Sequence, residues 1–87
     1  MATRQQNEKD FPHWEDLAEG GRRYWYDRKG RVRGFQRLIK IVDGNENTLF
    51  FFQEIYDDEG RLIEIHQKYP VDTGHQIVKA NEPEQDL

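Results

Sequence analysis

A chain of 87 residues with 13 basic and 17 acidic side chains, net charge −4, is one domain at most, and it lacks the basic balance usual for a nucleic-acid-binding domain. The absence of cysteine excludes disulfides and thiolate metal centres. No apolar run is long enough for a bilayer-spanning helix and no leader pattern is present, so the expected setting is a soluble, cytoplasmic one without a membrane partner.

The first ten residues, MATRQQNEKD, are almost wholly polar, and the last eight, ANEPEQDL, are acidic. Neither stretch offers apolar surface to offset its ordering entropy, so residues 1–10 and 80–87 are expected to be disordered tails around one small domain at 11–79. Phe11, Trp14 and Leu17 follow at spacings of three, with Gly20-Gly21 as a stop; that pattern predicts a short N-terminal helix.

Strands are then expected near 22–27, 31–42, 48–56 and 61–69. The first and last joints carry the same text: Tyr26-Asp27-Arg28-Lys29-Gly30-Arg31-Val32 and Tyr56-Asp57-Asp58-Glu59-Gly60-Arg61-Leu62. Asp-x-x-Gly suits a type I turn followed by a left-handed glycine, the common three-residue hairpin loop. A third turn signal, Asp43-Gly44-Asn45-Glu46-Asn47, lies between them, and Pro70 should stop the last strand. The expected fold is α+β or mostly β, a four-stranded antiparallel meander with one short N-terminal helix. The recurring heptad resembles the YD repeat of Rhs-type bacterial proteins, where Tyr-Asp-x-x-Gly-Arg-Leu recurs along a β-rich shell. Here it covers seven residues, twice, thirty positions apart, and no function of that family carries over.

If each turn pairs its flanking residues, Asp27 faces Arg31, Asp43 faces Asn47 and Asp57 faces Arg61. One sheet face then carries Trp25, Ile39, Ile41, Leu49, Phe51, Phe35, Ile55, Ile63, Ile65 and Tyr69. The opposite face carries Tyr24, Leu38, Phe50, Phe52 and Tyr56, an apolar patch where a solvated face should be polar. Two turns of helix cover one face, not two. The other is therefore expected to meet a partner, a second copy of the chain or an unknown protein.

Charge is segregated. Residues 22–40 hold Arg22, Arg23, Arg28, Lys29, Arg31, Arg33, Arg37 and Lys40 against Asp27 alone, whereas residues 43–87 hold eleven acids against Arg61, Lys68 and Lys79. Cross-strand pairing between neighbouring hairpins, such as Arg33 with Asp57, is one reading. Docking on an acidic partner is a second. A third is single-stranded nucleic acid on Arg22, Arg23, Trp25, Arg28, Lys29, Arg31, Arg33 and Arg37, which interleave cations with aromatics.

No catalytic constellation is legible. The chain has no serine, Thr48 and Thr73 sit in no recognisable elbow, and there is no phosphate-binding glycine loop. His66, Glu64 and His75 are candidate ligands by residue type, without a compact metal-binding spacing, so no metal or cofactor is expected. The sequence thus reads as a self-associating, non-catalytic bacterial interaction module, with nucleic-acid binding as the alternative.

Overall fold

The computed structural model describes residues 3–30 and 34–78. One short helix, α1 (Arg4–Asp10), precedes six strands: β1 (His13–Asp16), β2 (Arg22–Lys29), β3 (Phe35–Val42), β4 (Thr48–Tyr56), β5 (Leu62–Tyr69) and β6 (Gly74–Ile77). All six form one antiparallel sheet in sequence order. The mostly-β, antiparallel expectation is met, but the sheet has six strands rather than four.

The two added strands correct the sequence reading at both ends. His13–Asp16 is a strand, not a helix. Trp14 pairs with Tyr24, Glu15 with Arg23 and Asp16 with Arg22, so opposite charges meet across the ladder. The helix lies earlier, in the segment expected to be disordered. Thr3 caps it by accepting a hydrogen bond from the Gln6 amide. At the other end β6 pairs with β5 from Glu64↔Ile77 to Gln67↔Gly74. The expected tail 80–87 lies outside the described residues.

A single loop geometry closes three hairpins. In Leu17–Gly21, Asp43–Asn47 and Asp57–Arg61, the first amide donates to the fifth carbonyl, and the fourth amide donates back to the first carbonyl. The fourth residue has positive φ: 94° at Gly20, 65° at Glu46 and 82° at Gly60. Asp43 and Asp57 reinforce their loops identically. Each Oδ1 accepts two backbone amides, Asn45 and Asn47 in one loop, Glu59 and Arg61 in the other.

Those bonds hold both carboxyls below the usual range: Asp43 chiefly through the Asn47 and Asn45 amides, Asp57 chiefly through the Arg61 amide. A depressed folded-state pKa stabilises the fold above the unfolded value of about 4 and ceases to do so as pH falls through the folded one. Acid titration of the melting temperature should therefore show a decline below about pH 4 that is shallower in Asp43→Asn and Asp57→Asn. An unchanged acid limb in both variants would contradict the loop bonding. At Gly60 no atom lies within 4 Å of an added Cβ, so Gly60→Ala carries backbone strain alone. Chemical denaturation should read a loss of about 1 kcal/mol.

The first YD heptad does not make this loop. β2 runs on through Lys29, and Asp27 faces Arg37 rather than Arg31. The closing pair is Gly30 to Gly34, with the residues between them outside the described set. Arg37 explains the difference: its Nε and Nη2 grip the Asp27 carboxylate at 2.7 and 3.1 Å, so Asp27 serves the ladder and not a turn.

Two bulged strands then reset the faces. Val42 pairs with Thr48 as the turn requires, but Ile41 pairs with Phe50, leaving Leu49 as an extra residue. Ile39 therefore faces Phe52, not Phe51, and Phe35 faces Tyr56, not Ile55. Between β4 and β5, Ile63 and Lys68 are similarly unmatched, and Ile55 faces Glu64 rather than Ile63. A one-residue shift moves every following side chain to the other face.

The sheet thus has a back face bearing Tyr24, Leu38, Val42 and Phe51 and a front face bearing Trp25, Ile39, Ile41, Phe50 and Phe52. Phe11, Tyr24 and Val42 form the buried core on the back, with Tyr26 and Phe51 against it. Glu46 pins the helix there. Its carboxylate accepts from Asn7 Nδ2 (2.8 Å), the Tyr24 hydroxyl (2.9 Å) and Arg4 Nε (3.3 Å). Burial pushes the Glu46 carboxyl up, and those three donors more than reverse it. The same bonds offset the strain of a non-glycine residue at positive φ.

Candidate interaction face

The front face is built by alternation on β2, β3 and β4, with the Leu49 bulge turning Phe50 and Phe52 into register with it. Trp25, Ile39 and Phe52 form one row across the three strands, and Arg23, Ile41 and Phe50 the next. Ile39 is fully buried, whereas Phe50 is 44 % exposed. Among the described residues no element crosses this face: α1 and Phe11 make their contacts with Tyr24, Tyr26, Lys40 and Glu46.

Charge and aromatic rings border the apolar rows. The Arg23 guanidinium lies 4.6 Å over the Trp25 ring, and His13 stacks on the same indole at 5.5 Å. Farther along, Phe35 and Tyr56 stack with centroids 4.6 Å apart, and Arg37 lies 5.8 and 5.7 Å from the two rings. Arg37 is closed by Asp27, whose hydrogen bonds raise its pKa. The Tyr56 hydroxyl donates to Glu54 Oε1 at 2.6 Å. Burial, then that carboxylate, pushes the phenol up to about 12.

The expected patch of Tyr24, Leu38, Phe50, Phe52 and Tyr56 is therefore divided. Tyr24 and Leu38 are buried on the back face, while Phe50, Phe52 and Tyr56 stand on the front with Trp25. The expected basic surface divides too. Arg22 is buried, its Nη1 and Nε each 2.7 Å from Glu8 and Asp16, with its guanidinium over Trp14 and Tyr24. Arg23 and Arg37 are on the front; Arg28 is exposed on the back and donates to Gln36; Lys29 ends β2. Arg31 and Arg33 lie outside the described residues, and with them the Arg33–Asp57 pair.

The histidines are brought together, which spacing alone did not reveal. His66 and His75 face each other on β5 and β6, with ring centroids 4.5 Å apart. His66 Nε2 lies 2.6 Å from Asp72 Oδ1, and His75 Nδ1 2.5 Å from Glu64 Oε2. These are two separate pairs, and among the described residues no three such side chains converge to hold a metal ion.

The fold and face define a single-sheet β module with the helix on one side and, on the other, an apolar face that no described element crosses. Comparison with protein-family models, curated proteins and solved structures finds no match to the chain. No described helix is long and apolar enough to cross a membrane.

Proposed function

We propose that this protein is a non-catalytic interaction module that pairs with a second copy of itself through the front face of the sheet. The supporting observation is the row of half-buried Trp25 and Phe52 about buried Ile39, which no described element crosses, with exposed Phe50 beside it. Contiguous exposed apolar surface rimmed by polar residues marks a contact surface when it exceeds what an ordinary monomer shows. Two such faces packed sheet on sheet, about 10 Å apart, would give each copy the second layer that α1 supplies only on the back.

Sedimentation velocity at tens of micromolar tests this. The parent chain should run as a dimer. Phe50→Glu, which changes an exposed residue, should run as a folded monomer. A parent that is cleanly monomeric at that concentration overturns self-association and leaves a different partner for the same face.

The stacked Arg23, Trp25 and His13 favour a second reading, binding of single-stranded nucleic acid. Arg22 and Arg37 are already occupied by carboxylates, which weakens it. Phosphate contacts give a steep salt dependence, so an oligonucleotide titration at two salt concentrations separates the readings.

A further inference from the structure

The back face carries a second feature, distant in kind from the apolar front. Beyond the helix-covered core, a groove of about 380 Å³ is lined by Arg28, Lys29, Gln36, Gln53, Ile55, Lys68 and His75. Its cations come from β2 and β5, and His75 from β6. Lys68 lies two positions beyond back-facing His66, and so on the same side of β5, at the point where the β4–β5 ladder slips by one residue. Among the described residues, no carboxylate lines the groove.

The hydrogen bonding at its floor is also one-sided. Gln53 is buried, 7 % exposed, in a row where an apolar residue would be expected. Its Nε2 donates to Gln36 Oε1 at 2.7 Å, and Arg28 Nε donates to the same oxygen at 3.0 Å. That fixes the Gln36 amide with its oxygen doubly used. Its NH₂ group and the Arg28 Nη groups keep no bond to any described residue. The carboxylates on the β5–β6 side are engaged, Glu64 by His75 Nδ1 and Asp72 by His66 Nε2, although Asp72 also lies within electrostatic reach of Lys68. The groove therefore presents charged and amide donors with no carboxylate in its described lining.

We infer that this groove is a binding site for a small phosphate-bearing anion. A phosphate group offers several acceptor oxygens and up to two negative charges, which suits a groove whose lining carries a guanidinium, two ammonium groups and an amide donor from separate strands. A volume of this order admits a small phosphomonoester as well as free phosphate. The floor of the site, Arg28, Gln36 and Gln53, is on the opposite face from the proposed dimer contact, and the site does not depend on that contact.

Heteronuclear NMR titration at constant ionic strength, with chloride as the balancing anion, is the test. Inorganic phosphate and ribose 5-phosphate are the probes. Either should shift the side-chain amides of Gln36 and Gln53 saturably, with a dissociation constant below about 10 mM. Tighter binding of ribose 5-phosphate assigns the site to a phosphomonoester; equal binding assigns it to the phosphate group itself. Arg28→Gln combined with Lys68→Gln, both exposed, should weaken binding roughly tenfold or more without changing the melting temperature. No saturable shift with either probe, shifts that map elsewhere, or unchanged affinity in the double variant overturns the inference. A response to an oligonucleotide alone, with neither small phosphate binding, overturns it as well.

Discussion

Tyr24→Ala should leave most of the protein unfolded at room temperature. Tyr24 is fully buried, its ring lies 5.7 Å from Phe11 and 6.2 Å from Trp14, and its hydroxyl is held by Glu46. Removing a large buried ring costs about 3–5 kcal/mol, close to the whole stability available to a domain of this size. The Glu46 carboxylate would lose a donor in the same step, and with it part of the attachment of α1. Tyr24→Phe isolates that second effect, because it keeps the ring and removes only the hydroxyl. It should cost about 1–3 kcal/mol, the range for leaving a charged group short of a hydrogen bond. Urea denaturation followed by tryptophan fluorescence measures both. A Tyr24→Ala protein that melts cooperatively near the parent temperature would place the core elsewhere.

Gly34→Ala should be the most damaging glycine substitution in the turns. Gly34 has φ 73°, and a Cβ there would lie 2.0 Å from the Tyr56 carbonyl oxygen and 3.1 Å from the Asp57 Cα. Backbone cannot swing aside as a side-chain tip can, so β3 and β4 must separate where Phe35 stacks on Tyr56. The Gly34 amide also donates to Asp58 Oδ1 at 2.6 Å, a bond that separation would break. Left-handed strain alone accounts for about 1–2 kcal/mol, and the collision adds to it. Gly60→Ala, with the same backbone strain and no collision, is the internal control. Equal losses at the two positions would show that the close approach at Gly34 has no energetic weight.

The parts of the fold that were legible in the sequence are those written in local chemistry. Asp43 and Asp57 announced their loops because an aspartate that accepts backbone amides is a local device. Pro70 marked the end of β5 for a similar reason. The bulges were not legible. Thr48-Leu49-Phe50-Phe51-Phe52 is apolar on both faces, so its pattern is compatible with either register, and only pairing with Ile41 and Ile39 selects one. The candidate face was misassigned for that reason alone, with Phe50 and Phe52 grouped with Tyr24 instead of Trp25.

The N-terminus failed in a different way. Phe11, Trp14 and Leu17 satisfy a helical spacing, but a segment this short satisfies several spacings, and the charge pairs with Arg22 and Arg23 decide for a strand. The true helix carries no apolar stripe. It docks through Asn7, Glu8 and Arg4 to partners as far away as Glu46, and hydropathy is blind to such contacts. The groove lined by Arg28, Gln36 and Lys68 was hidden too, since its cations are far apart in sequence and one of them sits at a bulge.

Every strand of this sheet pairs only with its neighbours in sequence, from β1 to β6. No pairing has to wait for the closure of a long loop, so the entropy of search is spread over short steps. Assembly can begin at any hairpin and spread outward in both directions. The tight loops at Asp43–Asn47 and Asp57–Arg61 flank β4, which makes the three strands they join the natural place to begin. The ends of the chain then join last, β1 with α1 on one side and β6 on the other, and the same two edges should be the first to exchange their amide hydrogens.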